Sequence, residues 1–580
     1  MLFLYKSRWF IFLHKLKNEY YTRLLIFLNK MLFSKFSFSV RFFNRGLNGK
    51  SVGLRSICTG KKPEEEKEKK DEGNKNVGSG KKGLVLGVYQ TGKKFELSPV
   101  AQEVNQKCGD KIAQHLNTLS SELTLGKAFA LTDILPEYSA VALTSLGPKD
   151  ASYNEMESLD EARENVRWAV GAGVKRLKRR GCTAIDVDPA TAPDAAAEAA
   201  ELAAWKFECF KSTSGDKSEI AVNPYGTEGK ELWKEGAVRG RAQNWARFLS
   251  DMPANMMTPV DLAQAALDML CPLGVRVEAH DLEWIRAQRM RAFLAVARGS
   301  CTPPLFLDCT YRGAGATTPP VLIAAKGVTF DSGGLCLKQC EAMIDNRGSM
   351  AGAAVALAAL KTVAKLKLPM NISLVIPICE NMVSGQCMKV GDVVQALNGT
   401  SIIVENTDME GRLMMADALV YGQALYKPSL VIDVATFTLG VLMATGGGAF
   451  GCFSNSAEAW KATRAAGARA GDRPWRFPLW HYYQKQIIND ASVDLRNKGS
   501  GTATPCLGAA FLKNFICGDW VHMDITGVGK VASVGAPPYL NPRRMTGRPA
   551  RTLATLLHDI ASASGAKAAE NKEFGCAANT

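Results

Sequence analysis

Three nearly continuous apolar runs, at 321–326, 372–378 and 429–436, restrict the folds open to this chain more than any other feature. Short runs without regular polar alternation read as strands covered on both faces, which is how strands of a parallel sheet between helices look. Helical stretches at 349–366 and 412–426 separate them, and apolar runs at 294–298 and 304–309 read as further strands. Residues 268–565 are therefore expected to form a large α/β domain, its mostly parallel mixed sheet flanked by helices. Chemistry in such sheets gathers at the carboxyl ends of strands.

Two chemically loaded stretches sit at such ends. Val321–Ala325 runs into Lys326-Gly-Val-Thr-Phe-Asp331-Ser-Gly-Gly, followed by Lys338. A hairpin-like Asn398-Gly399 turn and the run Thr400–Val404 lead into Asn406-Thr-Asp408-Met-Glu410-Gly-Arg412. Were that run to continue as a strand, Asp408 and Glu410, two apart, would share a face. Asp331, Asp408 and Glu410 with Lys326, Lys338 and Arg412 read either as a site for hard divalent cations or as a buried ion-pair cluster. Spacing leaves both open. On the first reading two cations would polarise a carbonyl and activate water. Lys326 would then be a ligand only when deprotonated, Lys338 would serve an oxyanion, and Arg412 would hold an anion. The six histidines are dispersed and none lies in the acidic motif, so HExxH zinc chemistry and a Ser-His-Asp triad have no support. Gly49-Lys-Ser-Val-Gly53 matches GxSxG without a strand–helix frame around it.

At 580 residues the chain exceeds a single core, so two domains with extensions are expected. Its net charge of +15 does not point to nucleic acid, because residues 1–60 hold eleven Lys/Arg against the single acid Glu19. That basic, acid-poor segment has the composition of a mitochondrial transit peptide, with the mitochondrial matrix as the expected location and the cytoplasm as second choice. Residues 61–82 read as a charged, disordered linker. Alternating strands and helices make residues 83–230 a smaller N-terminal α/β domain: a strand from Gly83, a helix over Glu155–Arg180, a strand at Cys182–Val187 and an Ala-rich helix over Ala192–Phe210. Residues 231–267 read as a connecting helix region broken near Asp251–Pro259, and 566–580 as a tail. Fifteen cysteines without a CxxC pair read as reduced core residues, and no apolar run is long enough to span a bilayer.

The stretch Lys326–Gly334, Lys338 and Asn406–Arg412 resembles the motif of the leucyl aminopeptidase (cytosol aminopeptidase) family. The resemblance continues through Pro253–Pro259, Cys379–Met382, Gly391–Val394, Trp520–Asp524 and Met545–Pro549, from about residue 240 to 557. It implies a macro-like N-terminal domain, a C-terminal catalytic α/β domain, a homohexamer, and release of N-terminal residues from peptides or amino-acid amides with two Zn2+ or Mn2+ ions. By the same resemblance Asp331 and Glu410 would bridge both metals, Asp408 would bind one, and Lys326 would ligate the more tightly held ion. Lys338 would polarise the substrate carbonyl and Arg412 would hold bicarbonate as general base.

One position departs from the pattern. The family places a further metal-binding aspartate eleven residues past the second lysine, and here that position is Ser349, within Asn346-Arg-Gly-Ser-Met-Ala-Gly352. A neutral hydroxyl is a poor ligand, and its presence leaves three carboxylates facing four positive charges if two divalent ions bind. Met409 replaces a usual alanine, and Leu439 stands where the family has a glycine near the substrate backbone. The expectation is thus a metallopeptidase with an impaired centre holding two ions, one or none. Its alternative is an inactive, self-assembling structural homologue, similar to the sperm-abundant mitochondrial leucyl aminopeptidases of flies.

Overall fold

The computed structural model describes residues 81–576 apart from 92–93, 120–121, 213–218 and 531–534, with backbone alone from 564 onward. The segments read as a transit peptide and most of the linker lie outside the described residues. Among those described, no helix is long and apolar enough to cross a membrane, and the buried Cys182, Cys309, Cys379, Cys387, Cys452 and Cys506 are free thiols.

The smaller sheet runs in the order Ala128–Leu131, Ala140–Ser145, Lys81–Thr91, Cys182–Val187, Ala221–Pro224. The pairings among its last four strands are parallel, and Lys94–Leu97 folds back antiparallel on the long central strand. Helices Glu161–Arg179 and Pro193–Ala204 cover it, both shorter than the expected spans. The first helix starts at Glu161 rather than Glu155 because the Asp160 side chain accepts from Arg163 N and caps it there. Trp205, extended at φ −56° and ψ 141°, ends the second.

Residues 230–270 form two helices, Lys230–Asp251 and Pro259–Leu270, the second opened by a Thr258/Asp261 capping box. Beyond them the larger sheet runs Pro474–Arg476, Phe450–Ser454, Trp520–Asp524, Leu430–Ala435, Val321–Ala325, Asn371–Asn381, Leu305–Arg312, Arg276–His280. Val321–Ala325 is parallel to both of its neighbours. Its side chains explain why it carries no polar alternation. Val321, Ile323 and Ala325 enter the core that includes helix Ala351–Lys365, while Leu322 and Ala324 enter the core of helix Gly411–Tyr426. Each large side chain so buried contributes about 1.5–3 kcal/mol.

The run at 294–298 is not a strand. It belongs to helix Arg291–Ala297, whose Phe293, Ala295 and Val296 pack under Gly411–Tyr426. Four apolar residues before Arg298 cannot distinguish a buried helix from a buried strand, and the alanines favour the helix.

The two domains are joined by a buried ionic network. Glu198 receives Arg167 Nε at 2.9 Å, Arg239 Nε at 2.7 Å and Arg551 Nη1 at 2.9 Å, and Arg167 Nη2 donates to Arg469 O at 2.6 Å. Burial opposes ionisation of Glu198, yet the three guanidinia hold its carboxyl far below the usual range.

Candidate metal centre

Val321–Ala325 ends at Lys326, and the chain steps over into a second short strand, Gly327–Asp331, alongside the far end of Asn371–Asn381. This step delivers Lys326 and Asp331 to one end of the sheet. Gly333 and Gly334 then turn back with φ of +88° and +64°, conformations that side-chain-bearing residues rarely adopt. A Cβ on Gly333 would stand 3.2 Å from Asp408 Oδ1, so the turn also makes room for the acidic motif.

Asp408 and Glu410 do not lie on a strand. The strand ends at Ile403, and both residues sit in the turn that opens helix Gly411–Tyr426. Asn406 Oδ1 accepts from Asp408 N at 2.8 Å and Asn497 Nδ2 donates to Asn406 O at 2.7 Å, which tightens that turn. The carboxylates converge through the turn and not through the pleat. Their place at a helix N-terminus is electrostatically favourable. Gly411 lets the helix start against Lys326, whose Cε would lie 3.0 Å from a Cβ there.

Carboxylate oxygens of Asp331, Asp408 and Glu410 come within 4.8 Å of one another. Asp331 and Glu410 are buried, and Asp408, partly exposed, opens the group to solvent. Lys338 Nζ lies 3.2 Å from Asp331 Oδ2 and pairs with Asp408 Oδ1. Lys326 Nζ lies 2.7 Å from Glu410 Oε1 and donates to Ser349 Oγ and Thr436 O, each at 3.1 Å. Asp331 Oδ1 accepts from Asn381 Nδ2 and Gly333 N, both at 2.9 Å.

These contacts split the acids electrostatically. Burial works against ionisation of Asp331, but Lys326, Lys338 and the two hydrogen bonds outweigh it and hold the carboxyl below its usual range. Burial and the Asp331 charge raise Glu410 instead, and the same two causes raise Asp408. Lys326 and Lys338 are each raised, since the facing carboxylates overcome the desolvation of their ammonium groups.

The donor set suits one divalent ion. Three carboxylates offer hard oxygen ligands, and the buried Glu410 Oε1 is matched by the Lys326 ammonium, 2.7 Å away, and by no neutral donor. A second, tightly held ion next to Lys326 does not fit as well. Its donors there would be an amine now protonated and the neutral hydroxyl of Ser349.

All six residues singled out in the sequence lie at this end of the sheet, with Arg412 in the first turn of helix Gly411–Tyr426. Arg412 is fully buried. Its Nη1 donates to Asn497 O and to Lys498 O at 3.4 Å, and its Nη2 to Thr504 O at 3.4 Å. Burial lowers its pKa to about 10, and no carboxylate forms an ion pair with it among the described residues. Asn381 was not singled out, although it ties Asp331 to the carbonyl of Thr407. The only sequence signal for it was its place in Cys379–Met382.

Family models match both halves of the chain: the cytosol aminopeptidase family, catalytic domain, over residues 244–554, and the same family's N-terminal domain over residues 85–214. The cytosol aminopeptidase of Xenopus tropicalis is 39% identical over 487 residues, covering 82% of this chain and 92% of the relative. The Homo sapiens cytosol aminopeptidase is 38% identical over 484 residues with the same coverage. Among solved structures, the bottromycin maturation enzyme BotP aligns with a TM-score of 0.69 at 25% identity, covering 83% of this chain and 99% of BotP. A second structure, BotP in complex with Mn, gives the same TM-score at 26% identity. With its two α/β domains and its lysine–carboxylate centre, this chain belongs to the cytosol (leucyl) aminopeptidase family of metallopeptidases.

Proposed function

We propose that the chain removes N-terminal residues from peptides or amino-acid amides at a centre holding one divalent ion firmly, Zn2+ or Mn2+, on Asp331, Asp408 and Glu410. The observation that carries this reading is the trio itself, whose carboxylate oxygens lie within 4.8 Å of one another. When bound, such an ion supplies Lewis-acid polarisation of the scissile carbonyl and acidifies water. Lys338, held as an ammonium by Asp331 and Asp408, is the group that donates to the carbonyl oxygen as negative charge develops. Asp408, the most open of the three acids, faces incoming substrate. Arg412 is a buried cation without a carboxylate partner among the described residues, which suits it to hold bicarbonate as a proton relay.

Ser349 sets the level of activity on this reading. It weakens a second ion beside Lys326 and leaves a slow enzyme. A homohexamer and a mitochondrial address are part of the same proposal, the first by family resemblance and the second from the composition of residues 1–60. Ser349 also favours a second reading, in which the fold is kept for self-assembly and turnover is lost. The test is hydrolysis of leucine amide by the purified chain at saturating Mn2+ or Zn2+, with metal content and native mass measured on the same sample. Turnover with bound metal supports the enzyme. Metal-free hexamers or larger arrays without turnover support the structural homologue.

A further inference from the structure

Lys530 follows the strand Trp520–Asp524 and the short helix Thr526–Gly529, and none of the roles above uses it. Its side chain is partly buried and reaches the 3-10 segment Ile344–Met350, which carries Ser349. Nζ donates to Asn346 Oδ1 at 2.8 Å. Asn346 Nδ2 is committed to Ala342 O at 2.7 Å, so the amide is fixed with its oxygen toward the lysine. No carboxylate pairs with this ammonium among the described residues. Asn346 lies one 3-10 turn before Ser349, and Ser349 Oγ accepts from Lys326 Nζ at 3.1 Å, so these contacts put Lys530 on the Ser349 side of the metal centre. Burial first, and then Lys326 and Lys338, lower its pKa to about 8, yet it keeps substantial charge near neutrality.

A cation in this position shapes what the centre accepts. With one divalent ion on the trio, five positive charges (the ion and Lys326, Lys338 and Lys530) face four carboxylates, Asp345 included. An apolar substrate group packed there would desolvate Lys530 without supplying a counter-ion, which is unfavourable. A substrate carboxylate would supply one. We propose that Lys530 is a specificity-determining residue that favours substrates carrying a carboxylate close to the scissile bond, an inference that rests on the aminopeptidase reading. That carboxylate is either the side chain of an N-terminal Asp or Glu or the C-terminus of a dipeptide.

The test compares the natural chain with Lys530→Met, which keeps length without charge, and Lys530→Arg, which keeps charge. Calorimetric binding of L-glutamate against L-glutamine, with and without Mn2+, needs no turnover. Hydrolysis of Leu-Gly against its C-terminal amide reads the second source of the carboxylate. The expected result is a preference of about tenfold or more for the charged member of one pair, the size of one charge-assisted hydrogen bond. Lys530→Met should abolish that preference and Lys530→Arg should keep it. A preference in the glutamate pair assigns the side chain, and one in the Leu-Gly pair assigns the C-terminus. Equal affinities and rates within both pairs on the natural chain, or a preference that survives Lys530→Met, would overturn the inference. A Lys530-dependent preference for glutamate without turnover of any substrate would instead defeat the aminopeptidase reading and leave the carboxylate site standing.

Discussion

Lys326 Nζ donates a 3.1 Å hydrogen bond to Ser349 Oγ, both residues being buried beneath the acidic trio. An aspartate at 349 would turn that neutral contact into a fourth carboxylate at the place where a second ion needs one. Losing even an outer partner of a metal ligand lowers affinity or activity about 10–100-fold, and a direct ligand matters more. Ser349→Asp is therefore expected to raise bound metal from one ion to two per chain and to raise kcat by at least about tenfold. Elemental analysis after dialysis and leucine amide hydrolysis check both. If the natural chain already holds two ions and Ser349→Asp changes neither number, the serine is not the lesion.

The Lys326 proton sets the pH dependence of that second ion. In the metal-free chain its pKa is raised, because Glu410 and Asp331 more than offset burial. The stabilisation from this ion pair is thus fully present below the ordinary lysine pKa of about 10.4 and is lost as pH rises through the higher folded value. An ion bound through the amine must expel that proton, so its affinity should climb about tenfold per pH unit below the pKa. The second ion of Ser349→Asp should show this slope, and adding Lys326→Met should remove it. The first ion, on the carboxylates, should release the same number of protons with or without Lys326. Calorimetry in buffers of different ionisation enthalpy counts them.

Glu198 holds three buried guanidinia at the domain junction, those of Arg167, Arg239 and Arg551. Glu198→Gln takes from Arg551 its ion-pair partner, while Arg167 keeps Glu164 and Arg239 keeps Asp194, and the expected loss is about 3–5 kcal/mol in urea denaturation. The pH signature follows from the depressed carboxyl. Its contribution is complete above the ordinary glutamate pKa of about 4.3 and falls away as pH drops through the folded value. Glu198→Gln should consequently be weaker near pH 7 and less sensitive to acid than the natural chain. Equal urea midpoints at pH 7 would mean the network contributes nothing net.

Much of this architecture was legible because its physics is local. Val321–Ala325, buried on both faces, announces a central parallel strand by composition alone, and the helices over 351–365 and 411–426 follow from their periodicity. The six charged residues were legible as types and spacing. Their manner of convergence was not, because the turn at Asn406–Glu410 depends on Asn497, some ninety residues away, whose Oδ1 accepts from Glu405 N and Asn406 N. The helix at Arg291–Ala297 reads as a strand in the sequence because the four apolar residues 294–297 carry no period. Lys530 gave no signal, as its meaning lies in Asn346, 184 positions earlier.

Asn381 is the remaining test of how the centre is held. It sits at the end of the strand Asn371–Asn381, where one side-chain nitrogen donates both to Asp331 Oδ1 at 2.9 Å and to Thr407 O at 3.1 Å. It therefore fixes the Gly-rich turn and the acidic turn relative to each other without touching the ion. Thr407 is the second tie, its hydroxyl donating to Gly333 O at 2.8 Å while accepting from Cys336 N at 2.8 Å. Removing the amide should leave the fold, since the strand ladder and the Thr407 tie remain, but free Asp331 to rotate. Asn381→Ala is expected to lower Mn2+ affinity about 10–100-fold with a stability loss of only about 1–3 kcal/mol, the range for one unsatisfied buried group. Asn381→Asp separates geometry from charge: it keeps the size, yet sets a second carboxylate against Asp331, and in the metal-free chain it should destabilise more than alanine does. Metal titration and urea unfolding of the two variants read these effects independently. Unchanged Mn2+ affinity in Asn381→Ala would show that Asp331 is positioned by Lys326, Lys338 and Gly333 alone.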